Sequence, residues 1–224
     1  PPAEVLATAP VAPPVVRLAG LAGWSPAPLS IRDARRRAGP LRERLAALDA
    51  AAVATASPEG EVVARLRGVS AGYAAVRVFD DVDLDVRAGA VVALMGRNGS
   101  GKSTLLGLLA GLRAPAAGTV EVGGLAPAAV DAARARAVVG LVPQDASLVL
   151  FHQRVDDECA AADEEAGVPP GSARALLDRL VPDVPPDAHP RDLSEGQRLA
   201  LALAVVLVSS PSLVLLDEPT RGLD

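Results

Sequence analysis

The segment from Gly96 to Ser103 reads Gly-Arg-Asn-Gly-Ser-Gly-Lys-Ser and constrains the fold of this 224-residue chain more than any other feature. The pattern G-x-x-x-x-G-K-[S/T] lets the backbone curl until successive N–H groups point at anionic oxygens, and the positive end of the following helix points the same way. Lys102 is the only lysine among 22 basic residues, and it stands where a compact ammonium fits between two phosphate groups. The segment therefore predicts a phosphate-binding loop of a nucleotide-binding protein. Its candidate binding residues are Gly96, Asn98, Gly99, Ser100, Gly101, Lys102, Ser103 and Thr104.

The residues on both sides of this loop favour a strand–loop–helix unit. The apolar run Ala90–Met95 predicts a buried strand, and Thr104–Leu109 predicts a helix with an apolar face. Upstream, Val62–Leu66 and Val82–Val86 predict half-buried antiparallel strands. A glycine-rich turn without a ligand is the simpler alternative, and the complete pattern disfavours it.

A second element is the apolar run Leu213–Leu216, which is followed by Asp217 and Glu218. A buried strand that ends in Asp places a carboxylate beside the phosphate-binding loop, where it can orient Mg²⁺ together with the Ser103 hydroxyl. Glu218 can then polarise the attacking water as a general base. The alternative is a strand that merely ends in acidic turn residues.

A third element is the segment Leu193–Gln197, Leu-Ser-Glu-Gly-Gln. A serine followed by a glycine at the start of a helix is a second phosphate cradle, built from a hydroxyl and backbone N–H donors. One nucleotide seldom needs two cradles in one chain. Two copies that face each other head to tail would use both and enclose ATP between them.

Composition excludes several classes of protein. The net charge of −5 argues against a nucleic-acid partner. A single cysteine, Cys159, rules out a disulfide framework and suits a reducing compartment. The longest apolar run, Leu199–Val208, is too short to span a bilayer. Guanine readout through Asn-Lys-x-Asp would need a second lysine, so a GTPase is excluded, and a small-molecule kinase would have no use for the third element.

The chain divides by composition into two parts. Residues 1–60 predict a proline-rich linker over residues 1–29 and then a basic segment. In that segment Ser30–Asp33 opens a helix that Gly39 and Pro40 interrupt, with a second helix over Leu41–Leu48. Residues 61–224 predict an α/β domain with a helical insertion over about 145–195, including helices at 156–166 and 172–180. The arginines of the first part predict a solvated helix face rather than an anion-binding patch, because acidic residues are interspersed.

The order of these elements resembles that of the ATP-binding cassette (ABC) ATPases over residues 61–224. It comprises the phosphate-binding loop, Gln144, the segment Leu193–Gln197, the Asp-Glu strand and finally Arg221–Asp224. The resemblance implies a P-loop NTPase fold of ABC type, with a mixed sheet, an antiparallel β subdomain and a helical insertion. It also implies ATP and Mg²⁺ as cofactors, ATP hydrolysis, a second ABC cassette as partner and no nucleic acid.

The resemblance also assigns roles to individual residues. Tyr73 is similar to the aromatic residue that stacks on adenine, although a half-buried tyrosine at a strand end is an equal alternative. Gln144 is similar to the glutamine that contacts Mg²⁺ or water and communicates with a membrane partner. Asp224 is similar to the aspartate that crosses the dimer interface. The implied catalytic residues are Glu218, Lys102 and Gln144, the metal ligands are Ser103, Gln144 and Asp217, and the residues that hold the partner cassette's ATP are Ser194, Gly196 and Gln197.

Two departures from the family pattern accompany this resemblance. Glu195 stands where many members have glycine, which brings a negative charge near the incoming γ-phosphate and leaves open how strongly this segment supports hydrolysis. The family's switch histidine lies beyond the last motif, whereas His152 and His189 both precede the Asp-Glu strand. We therefore expect the sequence to be incomplete at its C-terminus, in which case the isolated fragment would bind ATP and turn it over hardly at all.

Within the family, Gly140–Gln144, Val155–Ala160 and Asp217–Asp224 are similar to the energy-coupling factor ATPases, which power uptake of vitamins and transition-metal ions. The basic segment before Glu61 resembles the join between two cassettes fused in one polypeptide, which implies that this chain is the second cassette of such a protein. This implies an integral membrane transporter subunit as partner, docked near Gln144, and a position on the cytoplasmic face of the membrane. The acidic residues at 156–158 are a candidate contact for that subunit, with a solvated helix start as the simpler interpretation. The alternatives are another ABC transporter ATPase and a soluble ABC ATPase that acts on ribosomes or DNA.

Overall fold

The computed structural model describes residues 5–6, 12–46, 60–73 and 76–220, and for Tyr73 the backbone alone. The chain divides into two compact units, Pro1–Ser57 and Pro58–Asp224. The predicted boundary between residues 60 and 61 lies close to this division and stays a prediction.

In the first unit, the described residues form α1 (Pro14–Ala22) and α2 (Ile31–Ala46). The prediction of a linker over residues 1–29 is therefore wrong for α1. Pro14 stands in the first turn of α1, where its missing N–H costs nothing and its fixed φ favours the helix. The prediction of two helices separated at Gly39 and Pro40 is also wrong, because α2 continues through Pro40.

The start of α2 agrees with the sequence. The Ser30 hydroxyl accepts a hydrogen bond from the Asp33 N–H at 3.1 Å and donates to the Asp33 carboxylate at 2.7 Å. These bonds satisfy a donor that would otherwise lack an intrahelical partner. Ser30 therefore acts as the predicted cap.

The second unit begins with a three-stranded antiparallel sheet in the order β2-β1-β3, formed by β1 (Val62–Tyr73), β2 (Val76–Arg87) and β3 (Ala117–Val122). Leu66 in β1 faces Leu84 in β2 and Val120 in β3. The predicted antiparallel pairing of the two upstream segments is confirmed.

The helix that follows the phosphate-binding loop is α3 (Lys102–Leu109). Its Leu105 and Leu108 pack in one core cluster with Leu66, Val69 and Val122 of the antiparallel sheet. The predicted helix over residues 104–109 is confirmed, and its apolar face fixes the loop against the sheet. After β3 the chain forms a short 3₁₀ helix (Pro127–Ala129) and α4 (Ala132–Val138).

A separate parallel sheet pairs β4 (Val139–Val142) with β5 (Leu213–Leu216). The segment Ala90–Met95 forms no strand, so that prediction is wrong: Val91 is fully exposed and Met95 is 85% exposed. A strand of a parallel sheet buries an apolar run only where other elements cover both faces of the sheet. The parallel sheet of the described residues has two strands, and the side chains of β5 alternate between buried and exposed.

The remaining helices form a cluster of their own. They are α5 (Val155–Ala166), α6 (Ser172–Leu180) and α7 (Glu195–Leu207), with short 3₁₀ helices at Ala146–Val149 and Pro190–Asp192. Their core contains Val155, Cys159, Leu177 and Leu201, all nearly fully buried. The two predicted helices of the insertion are confirmed within one residue at each end. None of the described helices has the length and apolar character needed to cross a membrane.

A buried carboxylate joins α5 to α6. Asp163 is only 3% exposed and accepts hydrogen bonds from the N–H groups of Gly171, at 2.6 Å, and Ala173, at 2.8 Å. Asp163 thereby satisfies free donors at the start of α6 from another helix. This contact fixes the angle between the two helices.

Candidate functional site

The phosphate-binding loop depends on glycine at two positions. Gly101 has φ of +95° and caps α3 in the left-handed conformation, and a Cβ there would lie 2.5 Å from Cγ1 of Val78. A Cβ at Gly96 would lie 2.6 Å from the Ser100 hydroxyl. The loop therefore comes close to its neighbours only because these positions carry no side chain.

Lys102 is the first residue of α3, and its ammonium turns back over the loop. Its Nζ donates hydrogen bonds to the carbonyl oxygens of Gly96, at 2.9 Å, and Arg97, at 3.2 Å. Both the ammonium and the first N–H groups of α3 place positive charge at the same end of the helix. This is the arrangement that binds anionic oxygens.

The loop forms one wall of an open cleft of about 730 Å³. The cleft combines residues from the loop, α3, β2 and the ends of β4 and β5. Its lining residues are Val78, Asn98, Gly99, Gly101, Lys102, Ser103, Thr104, Gln144 and Glu218. The structure thus brings the predicted catalytic residues Lys102, Gln144 and Glu218 into one cleft.

The parallel pairing of β4 and β5 explains why Gln144 and Glu218 meet. Val142 pairs with Leu216, and the Asp217 N–H donates to the Val142 carbonyl at 3.0 Å, so both strands end at the same edge. Gln144 follows β4 by two residues and Glu218 follows β5 by two residues. Side chains beyond the carboxyl ends of parallel strands share one crevice, which is where ligands bind in such sheets.

Glu218 has an unusual backbone conformation. Its φ is +50°, in the left-handed region that residues other than glycine seldom adopt. Such a conformation costs about 1 kcal/mol or more and persists where the surrounding structure imposes it. The side chain is exposed to the cleft, so this strained turn orients the candidate general base.

Not every predicted residue lines the cleft. Gly96 and Ser100 belong to the loop but not to the lining, and Asp217 is half-buried beside it. The side chain of Tyr73 and the whole of Asp224 lie outside the described residues, so their roles stay predictions. Val78 also lines the cleft, although it belongs to no sequence motif. It is identified only because its side chain lies next to Gly101 in the structure.

The side chains at this site are of the kinds that bind ATP and Mg²⁺. The Ser103 hydroxyl and the Gln144 amide oxygen line one cleft, and the carboxylate of Asp217 follows directly on β5. Oxygen ligands of these kinds are what Mg²⁺ takes, usually alongside phosphate oxygens. The glycine-rich loop and the ammonium of Lys102 supply the complementary cradle for the phosphates.

The third element of the sequence forms the start of α7. Ser194 is the cap: its hydroxyl accepts from the Gln197 N–H at 3.3 Å, and the Gln197 side chain accepts from the Ser194 N–H at 3.1 Å. This reciprocal pair is the capping box, which orders the first turn. Neither residue lines the large cleft, and neither does Gly196.

Glu195, unlike Ser194, lines a cleft with two of the predicted catalytic residues. It lines a narrow cleft together with Gln144 and Glu218. Its carboxylate accepts a hydrogen bond from Nη1 of Arg198 at 3.0 Å. The carboxyl of Asp145 has a lowered pKa, caused first by the hydrogen bonds from Ser147 and then by the positive charge of Arg198.

A phosphate-binding loop, a lysine at the positive end of the next helix and a cleft that ends at two parallel strands define a P-loop nucleotide-binding protein. Residues 79–221 match the ABC transporter family. A Streptomyces avermitilis protein, provisionally named an ABC transporter ATP-binding protein, is 51% identical over the whole of this chain and 44% of its own length. The chain belongs to the ABC transporter family.

Two further comparisons agree with this assignment. The aliphatic sulfonates import ATP-binding protein SsuB 2 of Xanthomonas axonopodis pv. citri is 41% identical over 71% of this chain and 52% of its own length. The structure of cbiO1 from Clostridium perfringens, part of the ABC transporter complex cbiONQ, matches with a TM-score of 0.61 and 26% identity, over 73% of this chain and 68% of that one. The predicted ABC-type P-loop fold is confirmed. The chain spans about half the length of the curated relatives it matches.

Proposed function

We propose that this chain binds and hydrolyses ATP to drive a membrane importer of the energy-coupling factor type, which takes up vitamins or metal ions. The observation that carries the proposal is the single cleft lined by Lys102, Ser103, Gln144 and Glu218. Binding, metal-ligating and proton-accepting groups converge there, as hydrolysis of a phosphoanhydride requires.

Each group has a defined task in this proposal. The loop N–H groups and Lys102 would hold the β- and γ-phosphates, while Ser103, Gln144 and Asp217 would hold Mg²⁺. When bound there, Mg²⁺ would supply charge neutralisation for the phosphate oxygens. Glu218 accepts the proton of the attacking water, and its exposed position in the cleft leaves room for that water.

The start of α7 supports a second cassette as partner. The Ser194–Gln197 capping box orders a helix N-terminus that contributes no lining residue to this chain's large cleft. Such an N-terminus, with its hydroxyl and N–H donors, suits the γ-phosphate of a nucleotide bound by another cassette. The other cassette is a second copy or a fused repeat of the same fold.

An exposed apolar patch near Gln144 supports a protein partner there. Phe151 is 81% exposed and Leu148 is 62% exposed, a few residues beyond Gln144. The patch suits the integral membrane subunit of a transporter, which would sense the nucleotide through Gln144. The similarity to a sulfonates import protein favours uptake.

The acidic residues 156–158 at the start of α5 are not all available for a contact with the membrane subunit. Glu158 is only 3% exposed and accepts from the backbone N–H of His152, while Asp156 pairs with Arg174 at 3.2 Å. Two of the three carboxylates at 156–158 therefore have internal partners. The docking surface in this proposal is the apolar patch alone.

The test uses the full-length protein purified from detergent-solubilised membranes of its host. Lys102→Ala should reduce binding of a fluorescent ATP analogue at least about a hundredfold, because the phosphate-neutralising charge is lost. Arg134→Ala, an exposed arginine of α4, is the matched control and should bind as the wild type does. A polytopic membrane protein should copurify, and substrate uptake in the host should require Lys102. Copurification with ribosomes or DNA instead would favour the soluble alternative and overturn the importer assignment.

A further inference from the structure

Arg198 makes an unusual number of contacts at the start of α7. Its guanidinium donates to the carbonyl oxygens of Leu193, at 2.9 Å, Pro190, at 3.3 Å, and Arg191, at 3.4 Å. It also donates to the Glu195 carboxylate at 3.0 Å. Arginine's planar fork suits several acceptors at once, so one side chain ties the loop before α7 to its first turn.

Glu195 would otherwise be an unfavourable residue at this place. It lines a narrow cleft with Glu218 and Gln144, two residues that also line the larger cleft proposed to bind the nucleotide. Like charges in a partly enclosed site oppose both each other and an incoming anion. Arg198 is 21% exposed and Glu195 45% exposed in their side chains, so water screens their interaction only in part.

We propose that Arg198 is a positioning residue that neutralises Glu195, so that a phosphate can approach a segment that carries a carboxylate. The proposal rests on the proposed function, because it concerns the ATP that this segment meets. It explains how a glutamate is tolerated beside Ser194 and Gly196: its compensating charge lies one helical turn further along α7.

The test measures kcat and KM for ATP hydrolysis in the full-length protein with its membrane partner. Arg198→Gln removes the charge and keeps a long side chain with a donor amide. It should raise KM about fivefold and change kcat less than about twofold. Adding Glu195→Gln should return KM to within about twofold of the wild-type value, with the Glu195→Gln single variant as reference. Arg198→Lys should also keep KM within about twofold, since it retains the charge.

The outcomes separate an electrostatic role from a purely structural one. A raised KM that persists in the double variant, or the same KM for Arg198→Lys and Arg198→Gln, would overturn the proposal. Arg179→Ala, an exposed arginine of α6, is the control for a lost surface charge. Thermal unfolding of each variant verifies that the protein is folded. If the wild-type protein itself fails to hydrolyse ATP, the proposed function falls; if it hydrolyses ATP and no suppression occurs, only this inference falls.

Discussion

Gly101 and Val78 are in such close contact that a Cβ on the glycine would lie 2.5 Å from Cγ1 of the valine. Since Gly101 also has φ of +95°, two independent constraints require glycine at this position. The contact joins the antiparallel sheet to the first turn of α3. The position of the phosphate-binding loop therefore depends on β2 as well as on its own sequence.

Gly101→Ala should lower the free energy of unfolding by about 2 kcal/mol and weaken nucleotide binding at least about tenfold, through strain and displacement of the loop. Urea unfolding and titration with a fluorescent ATP analogue measure the two effects. Gly124→Ala is the matched control, because Gly124 has φ of +77° but no atom within 4 Å of the added methyl group. Gly124→Ala should lower the free energy of unfolding by about 1 kcal/mol and leave binding of the ATP analogue unchanged. Equal binding by both variants would argue against the contact with Val78.

Glu218→Gln should slow ATP hydrolysis by about a hundredfold or more, because glutamine cannot accept the proton of the attacking water. Binding of ATP should stay within about twofold of the wild-type value, since the phosphate-holding groups are unaltered. Single-turnover hydrolysis and equilibrium binding measure the two quantities. Glu121→Gln, on the exposed face of β3, is the control for loss of a carboxylate. Rapid turnover by Glu218→Gln would contradict the role of general base.

Asp163→Ala should destabilise the helical cluster by about 1–3 kcal/mol, because the N–H groups of Gly171 and Ala173 would lose a buried acceptor. Thermal and urea unfolding of the full-length protein measure the loss. Glu164→Ala changes the exposed neighbour in the same helix and should cost less than about 0.5 kcal/mol. An equal loss of unfolding free energy in both variants would show that the hydrogen bonds of Asp163 do not stabilise the contact between α5 and α6.

Cys159 should resist modification in the folded protein. Burial raises the pKa of its thiol to about 11, so the reactive thiolate is scarce at neutral pH and the side chain is covered. Alkylation with iodoacetamide, followed by mass spectrometry of the peptide that carries Cys159, should be slow in buffer and rapid in urea. Its rate should increase as the pH rises from 7 toward 10. Rapid alkylation in buffer at pH 7 would show that the α5–α6–α7 core opens readily.

Sequence reasoning succeeded where the structural cause is local. The helix after the loop, the strands over 62–66 and 82–86 and the helices of the insertion follow from periodicity, capping and loop glycines, which act within a few residues. It failed for α1, where Pro14 begins a helix rather than preventing one, and for α2, which continues through Pro40. Proline has opposite effects at the start and in the interior of a helix, and composition alone does not distinguish the two.

For the candidate site, too, the sequence predicted some of the features and missed others. The glycine pattern identified the loop, the apolar strand that ends in acidic residues identified Glu218, and the resemblance identified Gln144. None of them indicated that Val78 would line the cleft or that Glu218 would adopt φ of +50°. Arg198 belongs to none of the motifs found in the sequence. These features arise from contacts between segments that are distant in the chain.

The sequence by itself determined that this chain has a phosphate-binding loop, a carboxylate-ended strand and a capped helix of the ABC type, because each is a short pattern whose chemistry is local. Only the tertiary structure decided which of those groups share a cleft, and that Ala90–Met95 lies exposed rather than in a strand. Strand formation and cleft lining both depend on neighbours that a linear pattern does not specify. The pairing of β4 with β5, which brings Gln144 beside Glu218, is the contact on which the site depends.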